Sequence, residues 1–276
     1  HYTYISTLFN VLKAAVAYDK HLIVLDRPNP LGMRMEGPLV DPGLESFISI
    51  ATIPLRHGMT IGELAWFFNH HVLPAPAKLK EVKMENHKRN DGLQHGLKNP
   101  LSPNIASLHS IYGYSFLGLL GEVEPFDVGI GTPKAFACIT MLESKKVPAT
   151  VWQEVIDELK SYGITAKPYK YFNERKKNNY EGIELVKVAN INQLASFELF
   201  LTVVNLFKVA GIRLNCSKMF DKAMGTRMVQ SLMQGTTEHT NVIAVVNAKL
   251  KEFFQKAKGA FMYQPFPVVH MLTSQN

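Results

Sequence analysis

The feature that most constrains this chain lies near its start. Ile5, Leu8, Phe9, Leu12 and Val16 recur at helical spacing, and HLIVLD follows, a short apolar run from His21 to Asp26 that ends in a charge. A run this short is a strand rather than a buried helix, and apolar residues at successive positions occupy both of its faces. Strands of parallel sheets, covered by helices on both sides, read this way. A helix feeding a buried parallel strand predicts an α/β fold or its α+β relative, and the later alternation of helical and strand-like segments agrees.

The segment from Arg27 to Met59 holds prolines at 28, 30, 38, 42 and 54 and glycines at 32, 37, 43 and 58, which forbids long regular elements. It reads as a long loop, and such loops are commonly functional. Thr60-Ile61-Gly62-Glu63 is a capping box opening a helix that carries Leu64, Phe67 and Phe68. Leu79 to Met84 alternates like a half-exposed strand, and residues 86–104 read as a polar surface loop. Ile105 to Leu120 is apolar, and the GEVEPFDVGIGTPKAF stretch that follows implies turns. Thr150-Val151-Trp152-Gln153 has the form of a second capping box, with Trp152, Val155, Ile156 and Leu159 on one helical face. Two strands, Lys167 to Phe172 and Gly182 to Val188, come next, and Asn190-x-x-Gln193 then opens a helix running to about Val209. Two further helices are expected near 217–234 and 240–258.

At 276 residues the chain is long for one domain, and the boundary is placed near residue 100, giving domains 1–100 and 101–276. Lys and Arg outnumber Asp and Glu by 30 to 23, but Lys88-Arg89, Lys145-Lys146 and Lys176-Lys177 are scattered rather than gathered into a stripe, so no nucleic-acid partner is expected. The longest apolar stretch, Leu199 to Val204, falls far short of the ~18 residues of a membrane helix. Cys138 and Cys216 lack CxxC spacing; a single disulfide is open to them, and two buried free thiols is the reading preferred. The chain opens at His1 inside an amphipathic pattern, without a methionine or a leader, so its true start is expected upstream.

LDRPNP puts Asp26 and Arg27 at the carboxyl end of the expected parallel strand, where open α/β sheets form ligand crevices. The bland alternative is that Asp26 caps a proline-rich turn and pairs with Arg27. His57, His70, His71, His87 and His95 lack the spacing of a metal motif; His57, between Arg56 and Gly58 just before a capped helix, stands where a loop residue can face a cleft, and a surface-loop histidine is the reading that spacing alone favours. In Gly129-Ile130-Gly131 the third glycine of a dinucleotide fingerprint is replaced by Lys134. If the chain cleaves sugars, its acid and base come from carboxylates, and Asp26, Glu36, Glu122, Glu124 and Asp127 stand in loop or loop-edge positions. Glu63 is explained by capping.

HYTYISTL, LIVLDRPNPLG, EGPLVDP, IPLRHGMTIGELAWFFN, SPNIASL and, near the C-terminus, FDKAMGTRMVQSLMQG occur in this order and resemble the successive motifs of the exo-β-N-acetylmuramidase family. The resemblance implies a Rossmann-like N-terminal subdomain, of which this chain holds the remainder, and an α/β or α+β C-terminal subdomain. It implies an exported or periplasmic protein that releases terminal N-acetylmuramic acid from the non-reducing end of peptidoglycan fragments or muropeptides, with no metal or organic cofactor. Asp26, Arg27, Asn29, Glu36, Arg56, His57, Ser102 and Asn104 are the substrate-side residues it suggests. The family's catalytic acid belongs to a Pro-Glu-His-Gly-like motif expected upstream of His1. Its Phe-Glu-Gly-Thr segment and the Arg-Gly-Thr after it are altered here to GEVEPFDVGIGT, with Ile130 in place of the arginine. A divergent member that binds muropeptide sugars without cleaving them is the rival reading.

Overall fold

A computed structural model describes residues 3–91 and 101–273 of the chain. Compact packing divides it into two units: residues 1–94 together with 221–276, and residues 95–220. The chain thus leaves the first unit near the expected boundary but returns to it, and a contiguous second domain over 101–276 does not describe the packing. The helix His239–Ala257 near the C-terminus shows why: its apolar face packs in the first unit's core.

The first unit opens with α1 (Thr3–Ala17), which buries Ile5 and Leu12, and β1 (His21–Leu25). Next come β2 (Arg34–Leu39), β3 (Pro54–His57), α2 (Ile61–His71) and β4 (Lys78–Val82). β1 pairs in parallel with β4, as HLIVLD implied. Burial differs from the expectation: Val24 is buried, whereas Ile23 and Leu25 are 58% and 72% exposed, because among the described residues this sheet has two strands and α2 packs against it. Inside the proline-rich segment β2 and β3 form a short antiparallel pair with Glu36 opposite Arg56. Thr60 and Glu63 make both halves of the capping box. Arg89 is buried, not on a surface loop, while residues 92–100 of the expected loop, His95 among them, lie outside the described residues.

The second unit contains α3 (Leu108–Leu120), β5 (Val123–Glu124), β6 (Cys138–Leu142), α4 (Ala149–Ser161), β7 (Ile164–Asn173), β8 (Asn178–Val188), α5 (Ser196–Val209) and β9 (Asn215–Cys216). β6, β8 and β7 form an antiparallel sheet, in that order. Helix α4 begins two residues earlier than the Thr150 box implies: Pro148 is its N-cap, so Thr150 lies within the first turn and is not the cap. Helix α5 begins at Ser196 because Asn190 spends its side chain on the Asn192 N–H in a turn. The two cysteines form no disulfide with each other; Cys138 is buried, its thiol pushed up to about 12 by burial, and Cys216 is half-buried.

Helix α3 lies so close to the sheet that a Cβ on Gly113 would sit 1.9 Å from the Phe136 carbonyl oxygen and 3.2 Å from Leu185. Backbone cannot give way as a side chain can. Gly113→Ala is expected to cost roughly 1–3 kcal/mol, read as a lower urea midpoint at unchanged slope; an unshifted midpoint would show that α3 can slide.

The chain re-enters the first unit through α6 (Phe220–Met224), α7 (Met228–Met233), α8 (His239–Ala257) and β10 (Val268–Val269), the last parallel to β2. The single helix expected over 217–234 is broken at Gly225, whose φ of +77° favours glycine. Val242, Val246, Leu250 and Phe253 form the buried stripe of α8, with Phe253 5.1 Å from Phe67 of α2.

Candidate functional site

Asp26 follows β1 at the carboxyl end of the parallel pair. Its Oδ1 accepts from the N–H groups of Arg27 (2.9 Å) and Gly62 (2.8 Å), and its Oδ2 from the hydroxyls of Thr60 (2.7 Å) and Tyr263 (2.8 Å). A Cβ on Gly62 would lie 2.8 Å from the Asp26 Cγ, so glycine is what lets the start of α2 close on this carboxylate. The helix N-terminus, with its outward N–H groups, suits an anion, and Asp26 supplies it internally. Every one of these bonds uses Asp26 as an acceptor, which makes it an anchor for the rim rather than a proton donor.

Tyr263 arrives from the far end of the chain. Its hydroxyl also accepts from the Met84 N–H at 2.9 Å, which ties the loop after β4 to the loop after β1. Burial raises the phenol above its usual value, so it stays protonated and donates to Asp26. The His87 ring stands edge-on to Tyr263 at 5.0 Å. Its pKa is lowered, first by burial and then by Arg89, against partial opposition from Asp91, Asp26 and Glu63, so the imidazole is neutral near pH 7.

The residues nominated from the sequence separate sharply. Arg27 is exposed, and among the described residues its guanidinium has no hydrogen-bond or ion-pair partner. Asn29 closes a turn instead, donating to the Met59 carbonyl and accepting from the Leu31 N–H. Glu36 and Arg56 are a buried pair, 2.8 Å apart and 1% and 3% exposed, with Arg56 also donating to the Leu31 carbonyl. His57 does not face a cleft: it is buried, its Nδ1 accepts from the Met59 N–H at 3.1 Å, and burial holds it well below the usual imidazole value. These five, like Asp26, belong to the first unit. Ser102 and Asn104 belong to the second, where Ser102 bridges to Ile105 and the Asn104 Oδ1 accepts from the Gly131 N–H at 3.4 Å.

The remaining carboxylate candidates are also in the second unit. Glu122 accepts from the Ser217 hydroxyl, Glu124 is exposed on β5, and Asp127 accepts from Lys176, the Tyr171 hydroxyl and the Gly129 N–H. Two motifs far apart in sequence do meet in the first unit. The Asp41 N–H donates to the Gly225 carbonyl, and Asp41 accepts from the Thr226 hydroxyl and from Lys249.

Sequence reading missed Tyr263 and His87. Tyr263 lies 237 positions from its partner Asp26, in a segment without periodicity, so no local signal marks it. His87 was visible only as one histidine of a group.

The model for "Exo-beta-N-acetylmuramidase NamZ, N-terminal" matches residues 1–109, and the model for "Exo-beta-N-acetylmuramidase NamZ, C-terminal" matches residues 112–263. The chain is 29% identical over 275 residues to the peptidoglycan beta-N-acetylmuramidase NamZ of Bacillus subtilis (strain 168), covering 95% of this chain and 64% of that protein. A crystal structure of a DUF1343 family protein from Bacteroides fragilis superposes with a TM-score of 0.83 at 27% identity, over 95% of this chain and 71% of that one. A second DUF1343 family protein from the same species, at TM-score 0.69 and 23% identity, shares the fold, again over 95% of this chain and 71% of its own. With matches to both family models along most of its length, the chain belongs to the exo-β-N-acetylmuramidase NamZ family.

Proposed function

We propose that the protein carrying this chain is a peptidoglycan glycosidase that releases N-acetylmuramic acid from the non-reducing end of cell-wall fragments, and that this chain supplies much of its sugar-recognising surface. The observation that carries the reading is the ordered match to both halves of the family. The carboxyl-end rim supports it, because Arg27 there offers an unengaged guanidinium, the side chain best shaped to grip the lactyl carboxylate that distinguishes muramic acid. A cell-wall substrate places the protein outside the cytoplasm, which cell fractionation tests. The assay for the activity is incubation of the whole gene product with saccharides ending in N-acetylmuramic acid or in N-acetylglucosamine. Release of muramic acid from the first alone is expected, and equal release from both would overturn the assignment.

One observation favours the rival in which the sugar is bound without cleavage: Asp26, Glu36, Glu122 and Asp127 all have internal partners. A gene product that binds the sugar acid and releases none would establish it.

Arg27 and Arg56 are separable by mutation. Arg27→Lys is expected to weaken binding of N-acetylmuramic acid by about 1.5–3 kcal/mol and to leave N-acetylglucosamine nearly unchanged, whereas Arg56→Lys should appear as lost stability. Titration calorimetry alongside thermal unfolding reads both, and equal losses for the two sugars in Arg27→Lys would refute the role.

A further inference from the structure

We propose that His87 is a specificity-determining residue of the carboxyl-end rim that also carries Arg27, and that it takes up a proton from solvent when a carboxylate-bearing amino sugar binds. This inference rests on the sugar reading above and concerns the same surface. Its first support is placement. His87 is in the loop that follows β4, and Arg27 begins the loop that follows β1; the two strands are parallel neighbours, so both loops leave the same edge of one sheet. Ligands of open parallel sheets bind at that edge.

The second support is the division of labour among the side chains there. Asp26, Thr60, Tyr263 and the start of α2 bond to one another and form a fixed platform. Tyr263 bridges Asp26 to the Met84 N–H, three residues before His87, and its ring carries the His87 edge. By contrast, among the described residues neither imidazole nitrogen of half-buried His87 has a hydrogen-bond partner, and neither does the Arg27 guanidinium. The groups left over are a cation and a neutral imidazole, both able to donate, set around a platform whose own carboxylate is already saturated.

A ligand carboxylate arriving there alters the charge balance around His87. The groups acting on it are Arg89, which disfavours its protonation, and Asp91, Asp26 and Glu63, which favour it. An added anion joins the second set and raises the imidazole pKa, and by linkage a proton on His87 strengthens the anion's binding. The lactyl carboxylate, with a pKa of about 3.5, stays ionised from pH 5.5 to 7.5, so the slope in that window belongs to the protein. A neutral sugar produces no such coupling.

The test uses the 276-residue chain, free N-acetylmuramic acid as the probe and N-acetylglucosamine as the neutral control. Wild type is expected to bind the sugar acid about fivefold more tightly at pH 5.5 than at pH 7.5, the step from a neutral to a charged hydrogen bond. His87→Gln, which keeps a donor but cannot take up the proton, should lose the slope. Arg27→Lys should bind more weakly at both pH values yet keep the slope. In NMR the His87 ring titration should move upward on adding the acid and stay put on adding the neutral sugar. Binding without a slope, or a slope that survives in His87→Gln, overturns the role of His87 and leaves the sugar reading standing. No binding by folded wild type at either pH overturns both.

Discussion

Arg89→Met is expected to destabilise the first unit by about 3–5 kcal/mol, the cost of leaving a buried charge without its partner. The guanidinium is 2% exposed and Glu63 is fully buried, and the two form a two-pronged ion pair. Arg89 also donates to the carbonyls of Gly58, Tyr263 and Pro265, while its N–H reaches the Gln264 carbonyl. Glu63 caps the Thr60 N–H and accepts from the Met262 N–H. This one ion pair therefore fastens the loop before α2, the first turn of α2 and the segment following α8. Methionine matches much of the volume but satisfies none of these acceptors. Against a typical folding stability of 5–15 kcal/mol the loss is a large fraction, and the midpoint of thermal unfolding should fall by on the order of 10 °C. Pairing it with Glu63→Gln should cost less than the two single losses added together, since the pair is shared. A midpoint within 2 °C or so of wild type, on the same scale, would mean that water replaces the guanidinium and that the unit is not held together here.

Arg89 also shows where sequence reading stops. The capping box at Thr60 and Glu63 was legible because its partners are three residues apart, and it appears as expected. The same local signal was present at Thr150, but Pro148 starts that helix earlier, so the motif is there and the cap is not. Parallel pairing of β1 was legible from HLIVLD. Its burial was not, because burial depends on how many neighbours the sheet has, and among the described residues this one has two strands. Among the site residues, Asp26 reached the expected end of the strand. Its partners Gly62 and Tyr263, 36 and 237 positions away, turned it from a candidate ligand group into a support. Composition offered no means of distinguishing Arg27, left with its guanidinium free, from Arg56, consumed by Glu36; that choice is made by the β2–β3 register.

The 276-residue chain by itself is expected to hydrolyse a chromogenic N-acetylmuramic acid glycoside at least about 100-fold more slowly than the Bacillus subtilis relative, which extends beyond the stretch this chain matches. Glycoside cleavage needs a positioned acid to protonate the leaving oxygen, a contribution of roughly a hundred- to ten-thousand-fold. Among the described residues, the candidate carboxylates other than Glu124 are occupied in other ways. Asp26 accepts four hydrogen bonds, Glu36 is buried against Arg56, and Glu63 is buried against Arg89. Asp127 is held by Lys176 and Tyr171, and Glu122 by Ser217. Glu124 is exposed on the two-residue strand β5, open to solvent. The comparison needs folded samples of both proteins at equal concentration, with N-acetylmuramic acid binding measured on each. Binding by the chain with slow turnover is the expected pair of results, since recognition through Arg27 needs no proton donor. Turnover comparable to the relative would mean that a carboxylate of this chain exchanges its internal partner for the glycosidic oxygen once substrate arrives, and Glu124, which has the least to exchange, would be the first to replace by Gln.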